Sequence, residues 1–176
     1  MKCFLAVVVL CVAVVAQNPP VTPSSPFAAD GKSIDSIIHA MYDVISGPAG
    51  ERNWQRFHQL FLPQATLATV FHKDGQVRHA VMSPDDYQHG AEPYFRQHAF
   101  YESEVARHSE RFGDIAHVFT TYASRRDTKG EPFERGINSV ELLNDGTRWW
   151  ILSISWDTER ADNPIPAEYL KDRPDH

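Results

Sequence analysis

The second half of the chain alternates apolar and polar residues in four long runs, and this pattern most limits the possible folds. The runs cover residues 100–111, 115–124, 133–143 and 148–158 of the 176. Turn sequences such as Gly113-Asp114 and Asn144-Asp145-Gly146 separate them. Alternation with a period of two is typical of half-buried β-strands, and short turns join strands that run antiparallel. The sequence therefore predicts a meander of four long strands.

Helical patterns come before this meander. The first places apolar residues on one face of a helix that Ser33 or Asp30 caps: Ile34, Ile37, Ile38, Met41, Tyr42 and Ile45. A second helix is predicted from Trp54 to Pro63, and a β-hairpin follows, with Asp74-Gly75 at its turn. Ser83-Pro84 opens a third helix, which Gly90 and Pro93 are expected to break. We predict an α+β fold with helices on one face of a curved antiparallel sheet.

The first residues have the pattern of a secretory signal peptide. Met1-Lys2 precedes an apolar run, residues 3–15, that is shorter than the roughly 20 residues of a membrane span. We predict cleavage after Ala16 and export to the periplasm or the medium, a retained N-terminal anchor being the alternative. The predicted organisation is a signal peptide 1–16, a Pro/Ser-rich linker 17–29, a domain 30–159 and a C-terminal tail 160–176.

The charge and the motifs exclude several classes of function. The chain has 17 Lys and Arg against 23 Asp and Glu, a formal net charge of −6. This balance argues against a broad phosphate-binding surface, so neither a nucleic acid nor, after cleavage, a membrane is an expected partner. Both cysteines lie in the predicted signal peptide, and no HExxH or GxGxxG motif occurs. We predict no metal site and no cofactor.

The last two strand patterns assign residues to faces of the sheet. On the last strand the core face is expected to carry Trp150, Leu152, Ile154 and Trp156. Trp149 and Ile151 alternate with serines on the other face, and these two large apolar groups predict a homodimer interface on the convex side of the sheet. On the preceding strand Asn138 shares a face with Val140 and Leu142, so its amide is expected to point inward.

Four stretches resemble the nuclear transport factor 2-like (NTF2-like) superfamily, and its SnoaL-like proteins in particular. They are FHQLF at 57–61, ATL at 65–67, RFGDIAHV at 111–118 and NDGTRWWILSISW at 144–156. The resemblance covers about residues 30–158 and implies a cone-shaped, cystatin-like α+β fold, in which a curved sheet wraps around N-terminal helices. It specifies no reaction, because this fold hosts enzymes and non-enzymes alike.

Within this superfamily, ketosteroid isomerases combine a general-base carboxylate with an oxyanion hole. The resemblance places Tyr42 at the position of the oxyanion-hole tyrosine and Asn138 at that of its aspartate. It places Thr69 at the base position. Threonine cannot abstract a proton from carbon at neutral pH, so the resemblance implies hydrogen-bond donors without the base.

The candidate ligand pocket combines aromatic side chains with a few polar groups, which is typical of small-molecule sites. The same aromatic residues would also form an ordinary core. His117 alternates with Phe119 on a central strand, and the resemblance implies that this face is turned toward the cavity. His117 is therefore the candidate acid or base, and the alternative is a structural histidine. The predicted pocket residues are Tyr42, Trp54, Thr69, His117, Phe119, Asn138 and Trp156.

Glu102 and Glu104 are two residues apart on one strand, so they share a face and form a possible carboxylate pair. Alternation puts Tyr101, Ser103, Val105 and Arg107 on the opposite face, which is no less polar. Alternation alone does not say which face is buried. A solvated face is the interpretation favoured for both glutamates.

Three functions are compatible with these patterns. The leading hypothesis is an exported SnoaL-like protein that binds a small apolar or phenolic molecule. The second is an isomerase, dehydratase or cyclase that uses His117 with Tyr42 and Asn138. The third is a non-catalytic interaction module that dimerises through the convex face of the sheet.

Overall fold

A computed structural model of the protein describes residues 26–172. The predicted signal peptide 1–16, its cleavage site after Ala16 and most of the predicted linker lie outside the described residues, as do the last four residues of the tail. No helix in the described range is long and apolar enough to cross a membrane.

The described residues form three α-helices, of which two precede the first strand and one lies between the second and third strands. Helix α1 is Ile34–Ile45, and Ser33 and Ser36 form a capping box at its N-terminus. Helix α2 is Trp54–His58, capped by Asn53. Helix α3 is Pro84–Gln97. Short 3₁₀ helices lie at Ala28–Gly31 and Ala167–Leu170.

Two of the helix predictions were wrong in extent. Helix α3 continues through Gly90 and Pro93 to Gln97. A proline removes only one backbone donor, and here the burial of Phe95 anchors the helix beyond that point. Helix α2 ends at His58, so Phe61 and Pro63 belong to the first strand, where Phe61 packs in the core.

Between residues 26 and 172, six strands form one curved sheet. They are β1 Phe61–Lys73, β2 Gln76–Met82, β3 Tyr101–Phe112, β4 Ile115–Arg125, β5 Glu134–Asn144 and β6 Trp149–Thr158. Their order in the sheet is β2-β1-β6-β5-β4-β3. All neighbours are antiparallel except β1 and β6, which run parallel. The sheet is therefore mixed, and the α+β prediction is confirmed with this one correction.

The core lies between the concave face of the sheet and the apolar stripe of α1. Ile37 and Ile38 of this helix are completely buried, as are Val118 of β4 and Val140 of β5. Burying an aliphatic side chain of this size contributes about 1.5–3 kcal/mol to folding. Helix α1 therefore packs against the concave face of the sheet through most of its own apolar residues.

A β-bulge at Leu152 reverses the predicted faces in the first part of β6, whereas Ile154 and Trp156 lie on the core side as predicted. Glu141 pairs with Ser153, but the next residue of β5, Leu142, pairs with Ile151, so Leu152 is an extra residue. Trp149 and Ile151 consequently point into the core, where they are 3% and 0% exposed, and Leu152 points outward. These two side chains cannot form the predicted dimer surface. The homodimer itself stays a prediction, without the residues on which it was based.

A second bulge, at Val105, has the same effect on β3. Glu104 pairs with Tyr122, and Ala106 pairs with Thr121, its neighbour on β4. Glu102 and Glu104 therefore lie on the concave side before the bulge, and Arg107 lies there after it. The solvated face favoured for the two glutamates is wrong, and so is the assignment of Arg107 to the opposite face.

Candidate functional site

An interior cavity of about 150 Å³ lies near the open end of the cone. Its walls come from α1, α2 and α3 on one side and from all the strands except β2 on the other. Most of the lining is apolar or aromatic, and the exceptions are Glu102, Glu134 and Asn138. The lining residues are Met41, Ile45, Phe57, Phe61, Leu67, Tyr87, Phe100, Glu102, Tyr122, Glu134, Asn138, Ile154 and Trp156.

Glu102 is the most unusual group in this cavity. The Ser124 hydroxyl donates a 2.8 Å hydrogen bond to its Oε2, and no described residue bonds to its Oε1. Burial raises the pKa of Glu102 to about 7, and repulsion from Glu134 adds to the increase although the Ser124 bond opposes it. Near neutral pH this carboxyl group is therefore divided between its acid and its base forms.

Glu134 is exposed at the start of β5 and also lines the cavity, so the cavity reaches solvent at this carboxylate. The Tyr122 hydroxyl lies 3.5 Å from its Oε1. Burial raises the pKa of Glu134, with the Tyr122 contact acting against it. Burial likewise raises the pKa of the Tyr122 phenol. Two carboxyl groups with raised pKa values thus share one small, mostly apolar space.

A chain of buried hydrogen bonds runs behind the cavity wall. Asn138 Nδ2 donates to the Tyr42 hydroxyl over 3.1 Å, and this hydroxyl lies 3.0 Å from Thr120 Oγ1. Thr120 then donates to Glu104 over 2.7 Å, and Glu104 forms an ion pair with Arg107. Burial raises the pKa of the Tyr42 phenol well above its ordinary value. Every member of this chain has a partner, which favours a structural role.

The predicted pocket residues are therefore only partly brought together. Asn138 and Trp156 line the cavity, whereas Tyr42 lies behind Asn138 and bonds to it, so the two do not form a donor pair open to a ligand. Thr69 has the strand parity of the lining residue Leu67 but is itself outside the lining. Trp54 stacks on Phe95, away from the cavity, with its indole N–H unpartnered.

His117 and Phe119 lie on the opposite, convex face of the sheet, which corrects their assignment to the cavity. Their neighbours Ala116 and Val118 take the inward positions of β4. His117 Nε2 lies 3.0 Å from Ser139 Oγ, and Phe119 packs against Tyr169 of the C-terminal segment. This segment covers an outer groove of about 410 Å³. His117 is thus not an acid or base for the cone cavity.

Glu102 also lines a separate cleft of about 280 Å³ between α1 and β3. The other lining residues of this cleft are His39, Tyr42, Asp43, Ser46, Ser103 and Glu104. The Glu102 side chain therefore stands between the interior cavity and a polar cleft that opens along α1.

The sequence pattern missed Glu102 and Glu134 as site residues. The spacing of Glu102 and Glu104 singled out a carboxylate pair, but one inserted residue at Val105 hides which face of β3 is buried. Glu134 begins β5, where alternation carries little information. In the described range no group of three or more His, Cys, Asp or Glu side chains is arranged to hold a metal ion.

Several solved structures resemble this chain at low sequence identity, and the first two named here share its fold. A Mycobacterium tuberculosis protein of unknown function is 14% identical, with a TM-score of 0.55 over 77% of this chain and 80% of that one. A Nostoc punctiforme protein of unknown function with a cystatin-like fold is 6% identical, with a TM-score of 0.54 over 74% and 96%. An NTF2-like protein of unknown function from Silicibacter pomeroyi is 14% identical, with a TM-score of 0.47 over 71% and 92%.

No protein-family model and no curated protein sequence matches the chain. The chain has a cystatin-like α+β fold, with a curved, unclosed six-stranded sheet and helices, and this agrees with the fold that the sequence resemblance implied. Since this fold carries many functions, the function must be argued from the cavity.

Proposed function

We propose that the protein binds a small, largely apolar molecule in the interior cavity. The observation that carries this proposal is an aromatic-walled cavity of about 150 Å³ with a few convergent polar groups, Glu102, Glu134 and Asn138. An apolar cavity of about this volume in another protein binds benzene, which sets the size of the expected ligand. The exposed Glu134 marks the entrance.

Methyl NMR during titration with small aromatic compounds, beginning with benzene, tests the proposal. The methyl signals of Met41, Leu67 and Ile154 should shift, because these side chains line the cavity. Val77 and Val81 are exposed on β2 and serve as internal controls whose signals should stay in place. Shifts that are absent from the lining methyls, or equal in the controls, would contradict binding in the cavity.

A second candidate function is acid–base catalysis, which the pKa of Glu102 favours. A carboxyl group with a pKa of about 7 in a mostly apolar site can take a proton from carbon and return it at neutral pH. The test is deuterium exchange at the α-carbon of a small cyclic ketone, followed by NMR. Exchange should exceed background in the native protein and be lost in Glu102→Gln. The matched control Glu141→Gln changes an exposed glutamate of β5 and should keep the activity.

We also propose that the protein is exported and cleaved after Ala16. The support is the order of a positive start, a short apolar run and a small residue in the sequence. Intact-mass measurement of protein from its native source should show a chain that begins at Gln17. A chain that begins at Met1 would contradict export with cleavage.

A further inference from the structure

The interior cavity carries acidic groups without any basic counterpart. The ionisable side chains in its lining are Glu102, Glu134, Tyr87 and Tyr122, and none of the lining residues is Lys, Arg or His. Each of these four groups is either neutral or negative. The electrostatic potential in the cavity is therefore suited to a positive charge.

Neither cavity glutamate has a cationic partner among residues 26–172. Glu102 receives one hydrogen bond from Ser124, and Glu134 receives a long contact from Tyr122. Glu104, two residues along the same strand, is paired with Arg107 at 2.6 Å. In the described residues Glu104 therefore has an arginine partner, whereas the two cavity carboxylates, Glu102 and Glu134, have no cationic partner.

Arg52, an arginine on the helical side, forms its hydrogen bonds with the backbone. Arg52 donates to the carbonyl oxygens of Ile45, Gly47, Pro48 and Gly50, and its guanidinium lies over the Phe95 ring. It fixes the loop after α1 and does not line the cavity. No described residue therefore provides Glu102 with a positive partner, and a cationic ligand could do so.

The walls of the cavity suit an organic cation better than a metal ion. Six aromatic side chains line it, and three of them, Phe57, Tyr87 and Trp156, form a connected group: the Phe57 and Tyr87 rings stack, and the Trp156 ring meets Tyr87 edge-on. The negative faces of aromatic rings attract ammonium groups, and quaternary ammonium ligands are commonly bound this way. A bare metal ion would need several more oxygen ligands than this lining offers.

We infer that the ligand is a small organic ammonium ion, with its charge held at Glu102 and Glu134 and its carbon atoms covered by the aromatic walls. This inference rests on the proposed function, because it names the chemical class of the molecule in the same cavity. A neutral ligand of the same shape would fill the apolar walls but would leave Glu102 buried beside a group that cannot balance its charge.

Calorimetric titration with a matched pair of probes tests the inference. Choline and 3,3-dimethylbutan-1-ol have the same shape, with nitrogen in the first replaced by carbon in the second. At pH 8 the native protein should bind choline about tenfold or more tightly than the alcohol. In Glu102→Gln the two affinities should come within about twofold of each other, whereas Glu141→Gln should keep the native preference. Glu134→Gln, at the exposed entrance, provides a second variant with a smaller expected loss.

The outcomes separate the inference from the proposed function. Equal or tighter binding of the alcohol, with shifts of the lining methyls, would overturn the ammonium inference and leave ligand binding in the cavity standing. A choline preference that survives in Glu102→Gln and in Glu134→Gln would also overturn it. If neither these probes nor benzene shifts the lining methyls, the proposed function fails and the inference fails with it.

Discussion

Glu102 in the interior cavity and Asp145 in the turn between β5 and β6 are both carboxylates partly removed from water, yet their pKa values move in opposite directions. Burial acts to raise both. At Asp145, four donors outweigh it: the backbone N–H groups of Thr147 and Arg148, the Thr147 hydroxyl and the Trp150 indole. They lower the pKa of Asp145 to about 2. At Glu102 one donor, Ser124, is not enough, and the pKa stays near 7.

The number of donors around each carboxylate distinguishes their roles. Both carboxylate oxygens of Asp145 accept hydrogen bonds within the turn that they stabilise, so neither is available to a ligand. Glu102 has a free oxygen facing a cavity, and the protein stabilises its charge poorly. A group that costs stability when charged is a candidate for function, because a ligand or a proton can relieve that cost.

The largest expected effect is a gain of stability in Glu102→Gln at high pH. The pKa of Glu102 rises from 4.5 in its ordinary state to about 7 in the folded protein, so the folded state holds the proton more tightly. The native protein therefore loses stability as the pH rises from about 4.5 through 7, by up to about 3 kcal/mol. Urea unfolding should show Glu102→Gln more stable than the native protein by about this amount at pH 8 and little changed at pH 4. An equal gain of stability at pH 8 in the control variant Glu141→Gln would contradict the assignment of this effect to the burial of Glu102.

The next largest effect is a loss of stability, expected when Asp145 is replaced. Asp145→Ala should lower the free energy of unfolding at pH 7 by about 1–2 kcal/mol, a figure reduced for solvent screening of a partly exposed group. Because folding lowers the pKa of Asp145 from 3.8 to about 2, its contribution is complete above pH 4 and disappears as the pH falls through 2. Acid-induced unfolding of the two proteins, compared from pH 5 to 2, measures it. Asp114→Ala, at an exposed turn position, is the control, and an equal loss there would remove the special role of Asp145.

Tyr42→Phe tests the hydrogen-bonded chain that separates the cavity from the structural ion pair of Glu104. Removing the hydroxyl leaves Asn138 Nδ2 and Thr120 Oγ1 with one bond fewer each. We expect a loss of about 1 kcal/mol by urea unfolding, with the choline preference retained. The control is Tyr101→Phe, whose hydroxyl makes no hydrogen bond in the described residues. A loss of the choline preference in Tyr42→Phe would show that the cavity extends to this tyrosine.

The smallest effect is expected on the convex face. His117→Ala removes a 3.0 Å contact with Ser139 and should change stability by no more than about 0.5 kcal/mol. The lining methyls should respond to benzene as they do in the native protein. A variant that abolished this response would return His117 to the candidate site and would weaken the assignment to Glu102.

The sequence was sufficient to predict those elements of the fold that have strong local signals. Ser33 and the apolar spacing located α1, and Asp74-Gly75 located the β1–β2 turn, where both residues have positive φ angles of 54° and 72°. The inward position of Asn138 followed from its alternation with Val140 and Leu142, and the structure has it there. Each of these signals depends only on residues a few positions apart.

The site could not be predicted in the same way, because each of two bulges shifts the alternation by one residue. The bulge at Leu152 places Trp149 and Ile151 on the core face instead of the expected outer face. The bulge at Val105 places Arg107 on the same face of the sheet as Glu104. Bulges depend on how two distant strands pair, which a count along one strand does not detect. The misplacement of His117 has a simpler origin, since the resemblance supplied its parity and the buried Ala116 and Val118 contradict it.

The position of β6 in the sheet also determines the order in which the molecule can be completed. This strand, the last of the described chain, lies between β1 and β5 and joins the β1–β2 hairpin to the β3–β4–β5 meander. Until residues 149–158 have left the ribosome, β1 and β5 each present an unpaired edge, and α1 lacks the part of its packing surface that β6 supplies. Contacts between β1 and β6 connect residues more than 80 positions apart, which makes their formation slow. The sheet of the described residues therefore cannot be completed until β6 has been synthesised.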